Sequence, residues 1–309
     1  MIASLTQDLG YAFRQLRKNP GFAAIAILTL ALGSGATTAI FTLVSGVLLK
    51  PLQYPHSESL VALHVQAEKR GDRWGFSYPD FLDCQRECRS FQGVTAWTYG
   101  GATVSAPGEP EYVDGRLISA DLFSVLRMPL VMGRSFLPAE DQVAAAPVAI
   151  ISTRLWQRRY GADPRAVGMP LTYDGKAYTI VGIAPPGLQL DGDVDVFTPL
   201  GQATEPRMQW RAAHFLHVDA RLRPDVTLSG AQAELALMSA RLQKQYPDSN
   251  TGITFVPHSL QSELGPGRQA HPLVRHRAPR SSREPRHHPW LGLELACSRP
   301  SAASVFSSA

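Results

Sequence analysis

The chain has 309 residues, 44% of them hydrophobic, with 30 basic and 26 acidic side chains and a formal net charge of +4. The positive charge sits at the ends: residues 265–309 carry +5 and residues 1–18 carry +2, so residues 19–264 sum to −3. The basic pI therefore gives no reason to invoke nucleic acid, because the body offers no positive field to a phosphate backbone.

In residues 1–18, Leu5, Leu9, Phe13 and Leu16 recur at helical spacing among Gln7, Asp8, Arg14, Gln15 and Lys18. This predicts a short amphipathic helix on an inner membrane surface. Residues 19–50 follow, and "NPGFAAIAILTLALGSGATTAIFTLVSGVLL" passes 31 residues without a charge. A signal-peptide core stops after about 7–15 apolar residues, whereas a membrane span needs about 20. A helix from Pro20 to Leu49 would be about 45 Å long, which allows a tilted span or a short stalk beyond it. Asn19 caps its start, Pro20 suits the first turn and Pro51 stops it. A cleavable signal is the rival reading, since "GSGATTA" offers small residues. The ten apolar residues beyond that point have no place at a mature N-terminus, so a retained span is expected.

Arg14, Arg17 and Lys18 precede the span and Lys50 stands alone after it, which places the N-terminus in the cytoplasm and the body outside. Ala31, Gly35 and Ala39 follow small-xxx-small spacing, with Gly46 near the same side. Such a face admits a second helix, although small residues are common in spans anyway.

Residues 51–264 are enough for one large domain or two lobes. "SLVALHVQ" reads as a strand, and "SYPDFLDCQREC" as a helix capped by Ser77 with Asp80 in a capping box. "GEPEYVDGRLIS" reads as strand-like and "DLFSVLR" as a short helix. "PVAIIS" is a strand feeding the helix "TRLWQRRYG". "MPLTYDGKAYTIVGIAPP" is a hairpin about Asp174-Gly175. "TLSGAQAELALMSARLQKQYP" is a long helix with Leu228, Ala231, Leu235, Met238 and Leu242 on one face, and the strand "ITFVPHSL" follows. Uneven alternation with a hairpin predicts an α+β domain rather than a wound parallel sheet.

The usual catalytic patterns are missing. There is no phosphate-cradling Gly-rich loop with Lys-Ser/Thr, no H-E-x-x-H and no G-x-S-x-G, so neither an enzyme nor a bound cofactor is expected. His214 and His217 could share a metal only if helical, and their segment reads as a strand, whose alternation separates them. "DGDVD" at 191–195 starts like a calcium loop but lacks the later Gly and Glu, so a solvated acidic loop is expected. Cys84 and Cys88 lie four apart on the predicted helix. A bridge there is strained, and they read equally as semi-buried thiols. Cys297 makes the count odd.

"FRQLRKNPGFAAIAILTLALGSGATTAIFTLVSGVLLKPLQYP", "YPDFLDCQRECRSF", "GEPEYVDGRLISADLFSVLRMPLVMGRSF", "PVAIISTRLWQRRYGADP" and "YDGKAYTIVGIAPPG" occur in that order. Together, from about Leu5 to Leu264, they resemble the opening span and periplasmic core domain of permeases of the MacB/FtsX-like class, particularly the acidobacterial type. The resemblance implies an ABC-type export or efflux assembly in the bacterial inner membrane. ATP would be hydrolysed by a separate cytoplasmic ATPase subunit, and further permease helices or a second copy would pack on the span. As given, the chain would pass the membrane once. A membrane-tethered binding domain without transport, or an external hydrolase, are the alternatives.

The resemblance ends before residues 265–309. This tail is rich in Arg, Pro, His and Ser, without periodicity or a spanning run, and reads as disordered. Its composition also matches a high-GC gene read out of frame, which would make the chain a truncated permease.

Overall fold

The computed structural model describes Lys18 and residues 20–48, 54–67, 73–188 and 190–263. The amphipathic segment with Arg14 and Arg17, and the basic tail with Cys297, lie outside the described residues. Lys18 is helical and exposed.

Helix α1 (Pro20–Leu48) takes in Ala31, Gly35, Ala39 and Gly46. Ile25, Ile27, Leu28, Leu30, Leu32 and Phe41 stand 63% to 75% exposed, and a Cβ placed on Gly35 would meet open space. The side chains of Phe22, Ala26, Ala39, Ile40 and residues 42–48 fall outside the described set. Among the described residues no helix is long and apolar enough to cross a membrane.

The body is a mixed α+β domain built on one sheet. Its first strands are β1 (Leu60–Ala67), β2 (Arg73–Trp74), β3 (Phe91–Tyr99), β4 (Ala102–Ala106), β5 (Glu111–Val113), β6 (Gly115–Ile118) and β7 (Met132–Gly133). The rest are β8 (Val148–Ser152), β9 (Pro170–Tyr173), β10 (Lys176–Ala184), β11 (Val196–Pro199), β12 (His217–Leu222) and β13 (Ile253–Ser259). The order is β13-β1-β12-β3-β6-β11-β8-β10-β9-β4-β5, with β2 on β1 and β7 on β10. Most neighbours are antiparallel; β6 with β11 and β8 with β10 are parallel.

Local chemistry explains the helices. In α2 (Tyr78–Glu87) the Ser77 hydroxyl accepts from the Asp80 amide (3.2 Å) and donates to the Asp80 carboxylate (2.7 Å), which satisfies an otherwise orphaned donor at the helix start. Helix α3 (Leu122–Leu126) ends at a left-handed Arg127. In α4 (Thr153–Tyr160) Ser152 caps the start and Gly161, with φ 58°, ends it. In α5 (Leu228–Gln245) the Thr227 hydroxyl takes the Gly230 amide. Two single turns, α6 (Pro247–Asn250) and α7 (Leu260–Glu263), flank β13. The hairpin β9–β10 turns on Asp174 (φ 52°) and Gly175 (φ 71°), the positive φ values that its strand twist requires.

Both faces of the sheet are covered. Val61, Leu63 and Val65 of β1 pack with Phe76 and Phe81 and with Ala231, Leu235, Met238 and Leu242 of α5. Leu60 and Ala62 join Trp97, Leu122, Leu126 and Phe197 on the other face. A third core at the far end gathers Ala149, Ile151, Leu155, Leu171 and Ile183 under α4. Each fully buried Leu or Ile contributes about 1.5–3 kcal/mol relative to exposure.

Three expectations need correction. "GEPEYVDGRLIS" is two strands, because β5 pairs with β4 while β6 pairs with β3 and β11, and the chain must bend at Asp114 to serve both. Leu228 is 39% exposed, since it occupies the first helical position before α5 meets the sheet. The 191–195 loop is not simply solvated: Asp195 is buried, accepting from the Ser152 hydroxyl (3.0 Å) and Arg154 Nε (3.0 Å).

Candidate functional site

Strand β12 reads His-Val-Asp-Ala-Arg-Leu, an alternation that ordinarily turns its polar members to water. Val218 and Ala220 do enter the core beneath α5. His217, Asp219 and Arg221 share the opposite face, but that face is covered by α3 and by the segment Tyr54–Ser59, through which the chain enters the sheet.

Arg221 is 2% exposed. It lies opposite Leu60, where β1 begins. Its Nε donates to the Val125 carbonyl at the end of α3 (2.7 Å). One terminal nitrogen donates to the His56 carbonyl (2.9 Å) and the Ser59 hydroxyl (2.6 Å), and the other to the Pro55 carbonyl (3.2 Å). The planar fork of a guanidinium suits several divergent acceptors, which an ammonium could not reach together. Burial pushes the Arg221 pKa down, with the nearby Arg127 charge adding to that and Glu58 opposing it. A guanidinium nevertheless keeps its proton in a protein.

The entering segment is shaped for this contact. His56 is left-handed (φ 54°), and its carbonyl also accepts from the Ser59 amide (3.2 Å) and hydroxyl (2.8 Å). A short 3₁₀ turn, Ser57–Ser59, leads into β1, and Tyr54 is buried in the cluster that holds Leu60 and Trp97. Gly93 of β3 lies opposite Arg221, and a Cβ there would come within 2.8 Å of Val125. Its missing side chain lets α3 bring the Val125 carbonyl down to the guanidinium.

The same joint receives the end of the described chain. Ser259 of β13 pairs with Val61, and Leu260 of α7 is buried in the cluster that holds Tyr54. Entry and exit thus lie side by side at the start of β1, whose first residue faces Arg221.

Along β12, Asp219 accepts from Trp97 Nε1 (3.1 Å), and burial pushes its carboxyl up to about 6 against that hydrogen bond. His217 stacks on Trp97 with ring centroids 4.0 Å apart. Arg116 of β6 lies over the Tyr99 ring (4.7 Å) and donates to the Leu190 and Asp191 carbonyls. This ties the 190–195 loop to the stripe. The arrangement holds three chain segments on one strand; its polar atoms are taken up in hydrogen bonds and ring stacks.

The histidines considered together in the sequence have separate surroundings: His214 stacks on Trp74 (5.9 Å) and His217 on Trp97. Among the described residues no group of three His, Cys, Asp or Glu is placed to hold a metal ion. Cys84 and Cys88 are free thiols with sulfurs 3.2 Å apart. Sequence reasoning missed Arg221, because its partners lie 96 to 166 positions away and its strand alternates as an exposed face would.

A family model described as the MacB-like periplasmic core domain matches residues 23–237. Among solved structures, a domain assigned to a permease protein from Porphyromonas gingivalis is similar with a TM-score of 0.53 and 17% identity, over 67% of this chain and 93% of that one. The periplasmic region of MacB from Actinobacillus actinomycetemcomitans is similar with a TM-score of 0.50 and 11% identity, over 72% and 93%. At these identities the likeness speaks to the fold alone. No curated protein matches the chain.

Proposed function

This chain belongs to the family of MacB-like periplasmic core domains, and from that premise we propose that it is a permease subunit, whole or partial, of an ABC-type export or efflux system. The observation that carries the reading is the extent of the match, which starts at residue 23 inside the uncharged helix α1 and runs on through the α+β domain to residue 237. Most of the helix and most of the domain fall within that one match. On this reading α1 crosses the bacterial inner membrane with Arg14, Arg17 and Lys18 on the cytoplasmic side, and the domain stands in the periplasm. The exposed Ile, Leu and Phe side chains of α1 then face lipid and neighbouring helices, with Ala31, Gly35, Ala39 and Gly46 as the close-packing side. ATP is hydrolysed on a separate cytoplasmic subunit, and this chain performs no catalysis and needs no cofactor. It passes displacement outward. The Arg221 joint is the part of the domain suited to that, since it bonds three residues of the entering segment and ties them to α3.

The test is expression of the full chain, tagged at its N-terminus, in the inner membrane of a bacterial host that carries ABC-type ATPase subunits. Resistance to alkaline carbonate extraction, protease digestion of the domain from the periplasmic side with the tag protected, and co-purification of an ATPase are expected. Release by carbonate would remove the anchor from the reading. A membrane-bound chain without a nucleotide-hydrolysing partner would replace it with a tethered interaction domain.

A further inference from the structure

Three sulfur atoms meet where α2 ends. Cys84, fully buried in the last turn, lies 3.2 Å from Cys88 through their sulfurs, and the Cys88 thiol donates to the Met238 thioether of α5 at 3.5 Å. The helix stops at Glu87. Cys88 is its cap, with φ −72° and ψ 119°, and its amide donates to the Cys84 carbonyl (3.0 Å). The in-helix spacing expected from sequence to strain a bridge is therefore absent, because the second cysteine has already left the helix and swung its sulfur back over the first.

A soft cation could use such a trio, since thiolate and thioether ligands suit copper(I). The surroundings argue otherwise. Two thiolates around one monovalent ion leave a negative charge in the apolar cluster of Phe81, Leu235 and Met238. The hydrogen bond to Cys88 and burial push the Cys84 thiol well up, and Glu234 and Asp80 add to that. A disulfide is neutral and carries no such cost.

We propose that Cys84 and Cys88 form a reversible dithiol–disulfide site, oxidised by small-molecule or protein disulfides. Cys88, the partly exposed member, attacks one sulfur of the incoming disulfide as a thiolate, forming a mixed disulfide and expelling one thiolate. The Cys84 sulfur, already in reach, attacks the Cys88 sulfur, closing the Cys84–Cys88 bond and expelling the second. The two cysteine protons end on the two released thiols, so the pair loses two electrons and the oxidant gains them. Closure draws Cys88 away from Met238 and removes a contact between α2 and α5. The site is independent of any transport role.

The experiment uses the full chain with Cys297→Ser, so that the tail thiol does not compete, equilibrated natively over a series of oxidised-to-reduced glutathione ratios. Samples are acid-quenched, alkylated and mapped by peptide mass. The expected result is a peptide holding both cysteines that is lighter by two hydrogens, grows with the oxidised fraction and reverts with dithiothreitol. Cys84→Ser should instead accumulate a glutathione adduct on Cys88, and Cys88→Ser should leave Cys84 unmodified while folded. Full alkylation of both thiols at every ratio, or bridging only after denaturation, would overturn the proposal.

Discussion

Two arginine sites, one on the third strand of the sheet and one beside its far edge, hold their partners by different physics. At the Arg221 joint the cation is dry, and its acceptors are three carbonyls and a hydroxyl. At the far end, Arg158 meets the Glu111 carboxylate with the two side chains 37% and 38% exposed, beside Arg159, whose side chain is itself buried and donates to the Pro107 and Val104 carbonyls. The contrast is therefore between Arg221 and the Arg158–Glu111 pair. Exposed ion pairs contribute little, because water solvates the separated charges nearly as well and salt screens them. A buried cation bonded to backbone carbonyls takes their donor with it when it goes, and here only the His56 carbonyl keeps another, from Ser59, among the described residues. The wet pair decorates an edge, whereas the dry arginine fastens the chain entry, α3 and β12 together.

The largest effect should come from Arg221→Met. It removes the donors to Val125, His56 and Pro55 and should lower stability by about 4 kcal/mol, read from the midpoint of urea unfolding. Hydrogen exchange sharpens this: the Ser59 amide, bonded to the His56 carbonyl, should exchange faster in any molecules that stay folded. Unchanged stability would mean that the joint is only a contact.

Next comes Asp219→Asn, two residues along the same strand. Below about pH 4 the Asp219 carboxyl is protonated in both folded and unfolded chains. Between there and its folded value of about 6, the folded chain keeps a proton that the unfolded chain has released. Stability from this group is therefore full at low pH and lost as pH rises through that window, by about 3 kcal/mol. Asn is neutral and still accepts from Trp97. It should raise stability by about that amount near neutral pH and leave it unchanged in acid. Melting curves across the pH range decide it.

The smallest effect belongs to Glu111→Gln. The hydrogen bond from Arg158, helped by that from Arg159, holds the Glu111 carboxyl below its usual range against the opposing effect of burial. Losing the pair should cost less than about 1 kcal/mol at low salt and less still at high salt. A loss comparable to that of Arg221→Met would erase the contrast between the two sites.

Much of the local architecture was legible beforehand. Ser77 before Tyr-Pro-Asp marks a helix start and Asp174-Gly175 between apolar runs a turn, by near-neighbour chemistry alone. The face of α5 that carries Ala231, Leu235, Met238 and Leu242 followed from helical period. β12 shows where that logic stops. Its alternation is real, but the polar face is buried by residues 54–59 and by α3, and no local rule announces a cover that arrives from so far along the chain. The 191–195 loop departs in part for the same reason: Asp191 and Asp193 are exposed as expected, but Asp195 is buried against Ser152 of β8 and Arg154 and Arg158 of α4.

By itself, then, the sequence determined what depends on neighbours: the uncharged run of α1, the caps and turns, the α+β class and, through an ordered string of segments, the family. Tertiary structure alone decided which polar residues went inside. Burying Arg221 or Asp219 is unfavourable until carbonyls or an indole from distant segments are brought to them, and the free energy of that choice lies in contacts between residues that the sequence keeps apart.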